Sequence, residues 1–169
     1  MSPAPGAPAP GLPGNSAMTD GSDAVFAALH RAADEACGAR LFTVMVLDRA
    51  AGLSRRAYTS HPADYPVSGA KPMQANGWSR IVIDGGRSFV ANTPEEFAIY
   101  FPDHPQIVAL GCEAALNIPV AKDGKVVGTV NILDRRGHFM PETVARLEAL
   151  VETRRPELLA AMAATRMTP

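Results

Sequence analysis

The sequence predicts an α+β domain built on an antiparallel sheet, and three observations predict it. Helical apolar stripes stand near both ends of the chain. Between them lie two strand pairs separated by an irregular middle rich in Gly and Pro. The second pair, Gly111–Asp134, is aliphatic on one side and carries amides and a hydroxyl on the other, although both sides read as buried. Amides on a buried sheet face frame a cavity or meet a ligand, because buried polar groups must find partners.

The chain has 169 residues, room for one domain, and 47% hydrophobic residues suffice for a core. A net charge of −1 and scattered basic residues argue against a nucleic-acid surface. The pairs Arg55-Arg56, Arg135-Arg136 and Arg154-Arg155 read as isolated, solvated charges. Two cysteines make no disulfide framework. No signal peptide is visible, and no run approaches the roughly 18 apolar residues of a membrane span. The expected setting is soluble, reducing and cytoplasmic, with no nucleic-acid or membrane partner.

Residues 1–20 form a Pro/Ala/Gly-rich tail expected to be disordered, with Met18 as an alternative start, and residues 21–169 form the domain. A first helix is expected from about Ser22, its cap, to Cys37, ended by Gly38, with Val25, Phe26, Leu29, Ala33 and Ala36 as its stripe. In the strand Leu41–Asp48, Phe42, Val44 and Val46 alternate with Thr43, Met45 and Leu47. A more polar strand near Leu53–Ser60 suits an edge. His61–Lys71 is irregular, with room for one short strand. A short helix near Ala75–Asp84 carries Trp78 and stops at Gly85-Gly86; Ser88–Ala91 is extended; Thr93-Pro94-Glu95-Glu96 opens a helix by its cap and proline. The last helix runs from about Pro141 to Arg166, divided at Pro156.

Two closures suit the hairpin turn Lys122-Asp123-Gly124. A two-residue Asp-Gly turn pairs Lys122 with Lys125 and mixes apolar with polar residues on each face. A turn with a Gly124 bulge pairs Ala121 with Lys125. It sets Leu116, Ile118, Val120, Val126, Val130 and Ile132 on one face and Ala115, Asn117, Thr129 and Asn131 on the other. The clean sorting favours the second closure.

These segments together resemble a GAF domain. The residues that carry the likeness are the strand Leu41–Leu47, then Leu116-Asn117-Ile118-Pro119-Val120, a turn, Val126-Val127-Gly128-Thr129-Val130-Asn131-Ile132-Leu133, and a final helix. The likeness covers roughly Asp23 to Val151. It implies an antiparallel sheet of five or six strands, terminal helices on one face, and short helices and loops covering a pocket on the other. It further implies a sensory or regulatory module that binds a small molecule and forms a homodimer through its terminal helices. No kinase, cyclase or DNA-binding segment follows, so the module is expected to act through a partner. Members of the family bind cyclic nucleotides, bilins, haem, amino acids or 2-oxoglutarate. A cysteine for bilin attachment is missing from His61–Gly111, and no cyclic-nucleotide motif is present, so no cofactor is expected.

The residues expected to line the pocket are Thr43, Met45, Tyr58, Trp78, Phe101, Asn117, Thr129 and Asn131. Each has a plainer reading. Tyr58 and Phe101 suit the core, Trp78 is either core filler or a wall that stacks on a planar ligand, and the amides either bind ligand or satisfy the middle loops. No metal-ligand spacing is present. One enzyme branch that the likeness brings in, the free-methionine-R-sulfoxide reductases, would use Cys112 as a thiolate nucleophile and Cys37 as the resolving thiol. The plainer reading of Cys112 is an inert cysteine at a strand end, and that of His104 an exposed loop histidine.

Overall fold

The computed structural model describes residues 12–67 and 69–166. Helix α1 (Leu12–Cys37) leads into β1 (Leu41–Asp48) and β2 (Leu53–Thr59). The middle holds β3 (Ala70–Pro72), α2 (Gly77–Ser79) running into a π-helical turn (Arg80–Asp84), β4 (Phe89–Ala91), α3 (Pro94–Ala98) and α4 (His104–Ala109). Then come β5 (Ala114–Lys122), β6 (Lys125–Asp134), α5 (Pro141–Thr153) and α6 (Arg155–Arg166). The six strands form one antiparallel sheet in the order β3-β2-β1-β6-β5-β4.

Three expectations are corrected at this level. The first helix begins at Leu12, so Ser22 lies inside it, and its hydroxyl donates to the Ala161 carbonyl of α6 at 3.2 Å instead of capping. Of the tail expected to be disordered, residues 1–11 lie outside the described residues, while 12–20 belong to this helix. Strand β2 is not an edge: β3 pairs with it over Leu53–Arg55, and β3 and β4 take the edges.

The third correction concerns the β5–β6 turn. Lys122 pairs with Lys125, and Asp123 (φ 54°) and Gly124 (φ 79°) both adopt left-handed backbone, the two-residue turn that Asp-Gly favours. The register then shifts between Val120 and Ala121, so that Val120 faces Gly128 and Asn117 faces Asn131. Val127 is the extra residue of a β-bulge. The turn follows its own chemistry, and the bulge restores the face sorting that the turn alone would spoil. Leu116, Ile118, Val120, Val130 and Ile132 do share the helix-side core, as the sorting required, but Val126, expected among them, does not: it pairs with Ala121 on the turn side of the bulge, and Val127 packs against that core instead.

That core joins Phe26 and Leu29 of α1 to Phe42, Val44 and Val46 of β1 and to Leu147, Leu158 and Met162 of the C-terminal helices. Each large side chain removed from water there contributes about 1.5–3 kcal/mol. Helices α1, α5 and α6 thus all cover one face of the sheet. Gly128 is required where β6, β1 and α6 meet: a Cβ at that position would lie 2.5 Å from the Met45 carbonyl oxygen and 2.9 Å from the Met162 sulfur. The opposite face carries a smaller cluster, including Leu41, Val82, Phe89, Phe97, Ile107, Cys112 and Leu133, under the middle segment.

Candidate functional site

Between that middle segment and the sheet lies a cavity of about 610 Å³. Its floor is the pocket face of the two central strands: Leu41, Thr43, Met45 and Leu47 from β1, and Thr129, Asn131 and Leu133 from β6. The period of two along a strand sends these residues away from the helix-side core. One wall is β2 and β3, with Ser54, Arg56 and Lys71; the other is built by Trp78, Ile83, Tyr100, Phe101 and Ile107.

Local chemistry places Trp78. Asn76 caps α2 reciprocally: its side-chain oxygen accepts from the Ser79 backbone N–H at 2.9 Å, and Ser79 Oγ accepts from the Asn76 N–H at 2.8 Å. The helix then widens, and the Gly85 N–H closes the π turn on the Arg80 carbonyl at 2.9 Å. Trp78 is thereby held over β5 with its indole Nε1–H donating to Asn117 Oδ1 at 2.9 Å. Asn117 Nδ2 donates to Asn131 Oδ1 at 2.8 Å, and Asn131 Nδ2 donates to Thr43 Oγ1 at 3.2 Å. Four side chains on four elements therefore form one polar chain across the floor. It fixes the orientation of both amides and leaves no room between Trp78 and Asn117. The cavity also extends to the wall formed by β2 and β3, where Ser54, Arg56 and Lys71 line it.

Seven of the eight residues expected at a pocket line this cavity: Thr43, Met45, Trp78, Phe101, Asn117, Thr129 and Asn131. Tyr58 does not. The β1–β2 register shifts between Val44 and Met45, so Val44 faces Tyr58 while Met45 faces Arg56. Ala57 is the extra residue, and the bulge sends Tyr58 to the helix side. There it packs edge-on against Phe42 (ring centroids 5.9 Å apart) and its hydroxyl lies 3.2 Å from His30 Nδ1. Burial raises the Tyr58 pKa, with Asp23 adding to the effect, and burial lowers that of His30 against the opposing pull of Asp34.

The same bulge brings in Arg56, which the reading of Arg55-Arg56 as solvated charges missed. Adjacent residues on a strand point to opposite faces, so one arginine of the pair had to enter the sheet's other side. Arg55 turns outward to Asp48 at 3.0 Å. Arg56 turns toward the cavity, where Nη1 donates to the Pro66 carbonyl at 3.0 Å and the guanidinium lies 5.0 Å from the centre of the Tyr65 ring. The Tyr65 hydroxyl in turn donates to Asp103 Oδ2 at 2.8 Å. Burial lowers the Arg56 pKa, while Tyr65 and Asp103 oppose it; burial, then the Asp103 bond, raise that of Tyr65. Tyr65, an aromatic expected as core, is buried in the pocket-side cluster and also lines the cavity, as do Asp103, Lys71 and Arg49.

Cys112 is fully buried in the pocket-side cluster and does not line the cavity. Burial, with Asp134 adding to it, pushes its thiol up to about 11, so at neutral pH it holds its proton. Cys37 packs against the helix-side core, across the sheet. This is the arrangement of two separate packing residues and not of a nucleophile with its resolving thiol. His104, half-buried, opens α4. Among the described residues no group of three His, Cys, Asp or Glu side chains is placed to hold a metal ion, and no helix is long and apolar enough to cross a membrane.

The family model described as GAF domain matches residues 19–153. No curated protein matches the chain in sequence. Among solved structures it is similar to the GAF domain/HD domain protein from Geobacter sulfurreducens, with a TM-score of 0.69 at 16% identity over 88% of this chain and 97% of that one. It is also similar to the GAF domain of an Acinetobacter phosphoenolpyruvate-protein phosphotransferase, with a TM-score of 0.65 at 12% identity over 90% and 86% of the two chains. A third likeness is to the blue-light absorbing form of the Thermosynechococcus elongatus PixJ GAF domain, with a TM-score of 0.61 at 14% identity over 88% of each chain. Likenesses at these identities are likenesses of fold.

Proposed function

The chain belongs to the GAF domain family, and from that premise we propose that residues 21–169 act as a regulatory module that binds a small organic molecule in the cavity over β1 and β6. The observation that carries this reading is a cavity of about 610 Å³ whose floor sets an ordered polar chain, Trp78–Asn117–Asn131–Thr43, among Leu41, Met45, Leu47 and Leu133. Apolar walls with a few fixed polar groups are the usual make-up of a small-molecule site. Oriented amides have already met the entropy cost of ordering, so a ligand gains their hydrogen bonds at little further loss.

On this reading the output passes through a second copy or a partner. The terminal helices pack together on the face away from the cavity, and exposed alanines at positions 24, 160, 163 and 164 leave room for close approach of another helix pair. The free thiols of Cys37 and Cys112 suit a cytoplasmic setting. A metabolite panel read by thermal shift tests the binding: a ligand at 100 times its dissociation constant adds about 2.7 kcal/mol of stability. A panel in which every hit also stabilises a Thr129→Phe protein, whose cavity is blocked, would overturn the reading. Sedimentation velocity tests the homodimer, and a monomer at all concentrations would remove it.

A further inference from the structure

We propose that the ligand of this cavity is an organic anion, with its acidic headgroup against Arg56 and Lys71 and an apolar body over Met45 and Phe101. The inference rests on the binding function proposed above and specifies the class of molecule. Its first observation is register. Lys71 pairs with Ser54, and Arg56 follows Ser54 by two residues on the same strand face. The two cations are therefore diagonal neighbours on the cavity wall, within reach of one headgroup.

The second observation is that neither cation is held in an ion pair. Among the described residues neither makes an ion pair with a carboxylate, whereas the adjacent Arg55 does. Asp103, the nearby carboxylate that acts on Arg56, is engaged by the Tyr65 hydroxyl. Of the remaining charges on the lining, Arg49 donates to the Val126 carbonyl and Asp84 is exposed. The third observation is the state of the guanidinium itself. It is anchored by the Pro66 carbonyl and the Tyr65 ring, yet its Nε is the buried side-chain nitrogen left without an acceptor among the described residues. A half-buried arginine held in place on the cavity wall, with donor capacity that its protein neighbours do not use up, matches an acidic headgroup.

The body of the ligand follows from the rest of the wall. Leu41, Met45, Leu47, Ile83 and Phe101 are apolar and surround the space between the cations and Trp78. A small inorganic anion would leave that surface wet, so the molecule carries a sizeable apolar part.

Two dyes that share an arylamine body, anilinonaphthalene sulfonate and neutral N-phenylnaphthylamine, separate the claims when titrated by fluorescence into the full chain. The sulfonate is expected to bind about tenfold more tightly than its neutral counterpart, the worth of one charge-assisted hydrogen bond. Arg56→Met and, independently, the exposed Lys71→Met should erase that preference, bringing the ratio of the two dyes' affinities close to one. Thr129→Phe, or Ser54→Phe if the first fails to fold, should abolish both. If the neutral dye binds, responds to the blocking variants and matches the sulfonate in affinity, the anion inference falls and the binding cavity stands. If neither dye responds to the blocking variants, the cavity reading falls and takes the anion with it.

Discussion

The two hairpins of this sheet solve the same problem with different visibility. Each contains one bulge, Val127 in β6 and Ala57 in β2, and each bulge decides which side chains reach the cavity. In β5–β6 the residues on either side of the bulge are strongly sorted, aliphatic against amide. Only one assignment of faces avoids burying Asn131 among leucines and valines, whatever the turn does. In β1–β2 the second strand reads Leu-Ser-Arg-Arg-Ala-Tyr-Thr, and either assignment exposes some polar and buries some apolar atoms. The lesson is that face assignment can be read where hydrophobic sorting is strong, and that turn type is a separate choice, reconciled with it by a bulge.

The hairpins should also differ in how they tolerate the same kind of change. Gly128→Val should cost the most, about 3 kcal/mol, because its side chain meets backbone of β1 and the Met162 sulfur in a packed core. Gly52→Ala, in the β1–β2 loop, meets nothing within 4 Å and bears only the strain of its φ of 68°, about 1 kcal/mol. Urea midpoints at unchanged m-value measure both, and equal losses would break the comparison.

Next in size is the contrast between Asn117 and Tyr58, two of the polar residues that the sequence nominated for the cavity. Asn117→Leu leaves the Trp78 indole N–H and an Asn131 oxygen without their partners, at about 2 kcal/mol. The emission of Trp78, the chain's one tryptophan, should change with it. Tyr58→Phe removes a hydroxyl that lies against His30, at about 1 kcal/mol, and should leave both Trp78 emission and dye binding as they were. A change of dye affinity in Tyr58→Phe would put that ring back in the cavity.

The smallest effect is one of pH on the β1–β2 side. His30 stacks on Phe42 with ring centroids 4.8 Å apart, and its burial lowers its pKa from the ordinary 6.5. The unfolded chain then takes up the proton more readily than the folded one. The resulting contribution to stability is complete above pH 6.5 and is lost as pH falls from there toward the lowered folded value. His30→Gln should flatten the stability profile across that window, as followed by thermal midpoints. A slope that survives the substitution would assign the titration elsewhere.

Much of the architecture was legible because strong patterns are redundant. Phe42, Val44 and Val46 against Thr43, Met45 and Leu47 gave β1 and both its faces; Thr93-Pro94 with Glu96 gave the start of α3 through a capping box that the structure contains. Pro156 marked the division between α5 and α6. The polar floor was legible from Asn117, Thr129 and Asn131, but its internal bonding was not, because pairing Asn117 with Asn131 depends on the bulge at Val127. Which faces Arg56 and Tyr58 take was not legible for the same physical reason. A bulge needs no special residue, and Ala57 gives no local sign of one. Lys71 escaped notice because β3, at three residues, is too short to show a period.

The bare glycine at position 128 has a mechanical consequence. On one side of its peptide plane sits Met162 of the last helix; across the ladder is the carbonyl of Met45, whose side chain, with that of Thr129, forms the cavity floor. The barrier between the chamber and the rear helix is a single layer of main chain with no cushioning methyl. Any side chain larger than hydrogen at this position would have to push away either the Met45 carbonyl or the Met162 thioether, so the closeness of the last helix to the two strands that floor the cavity depends on this one bare residue.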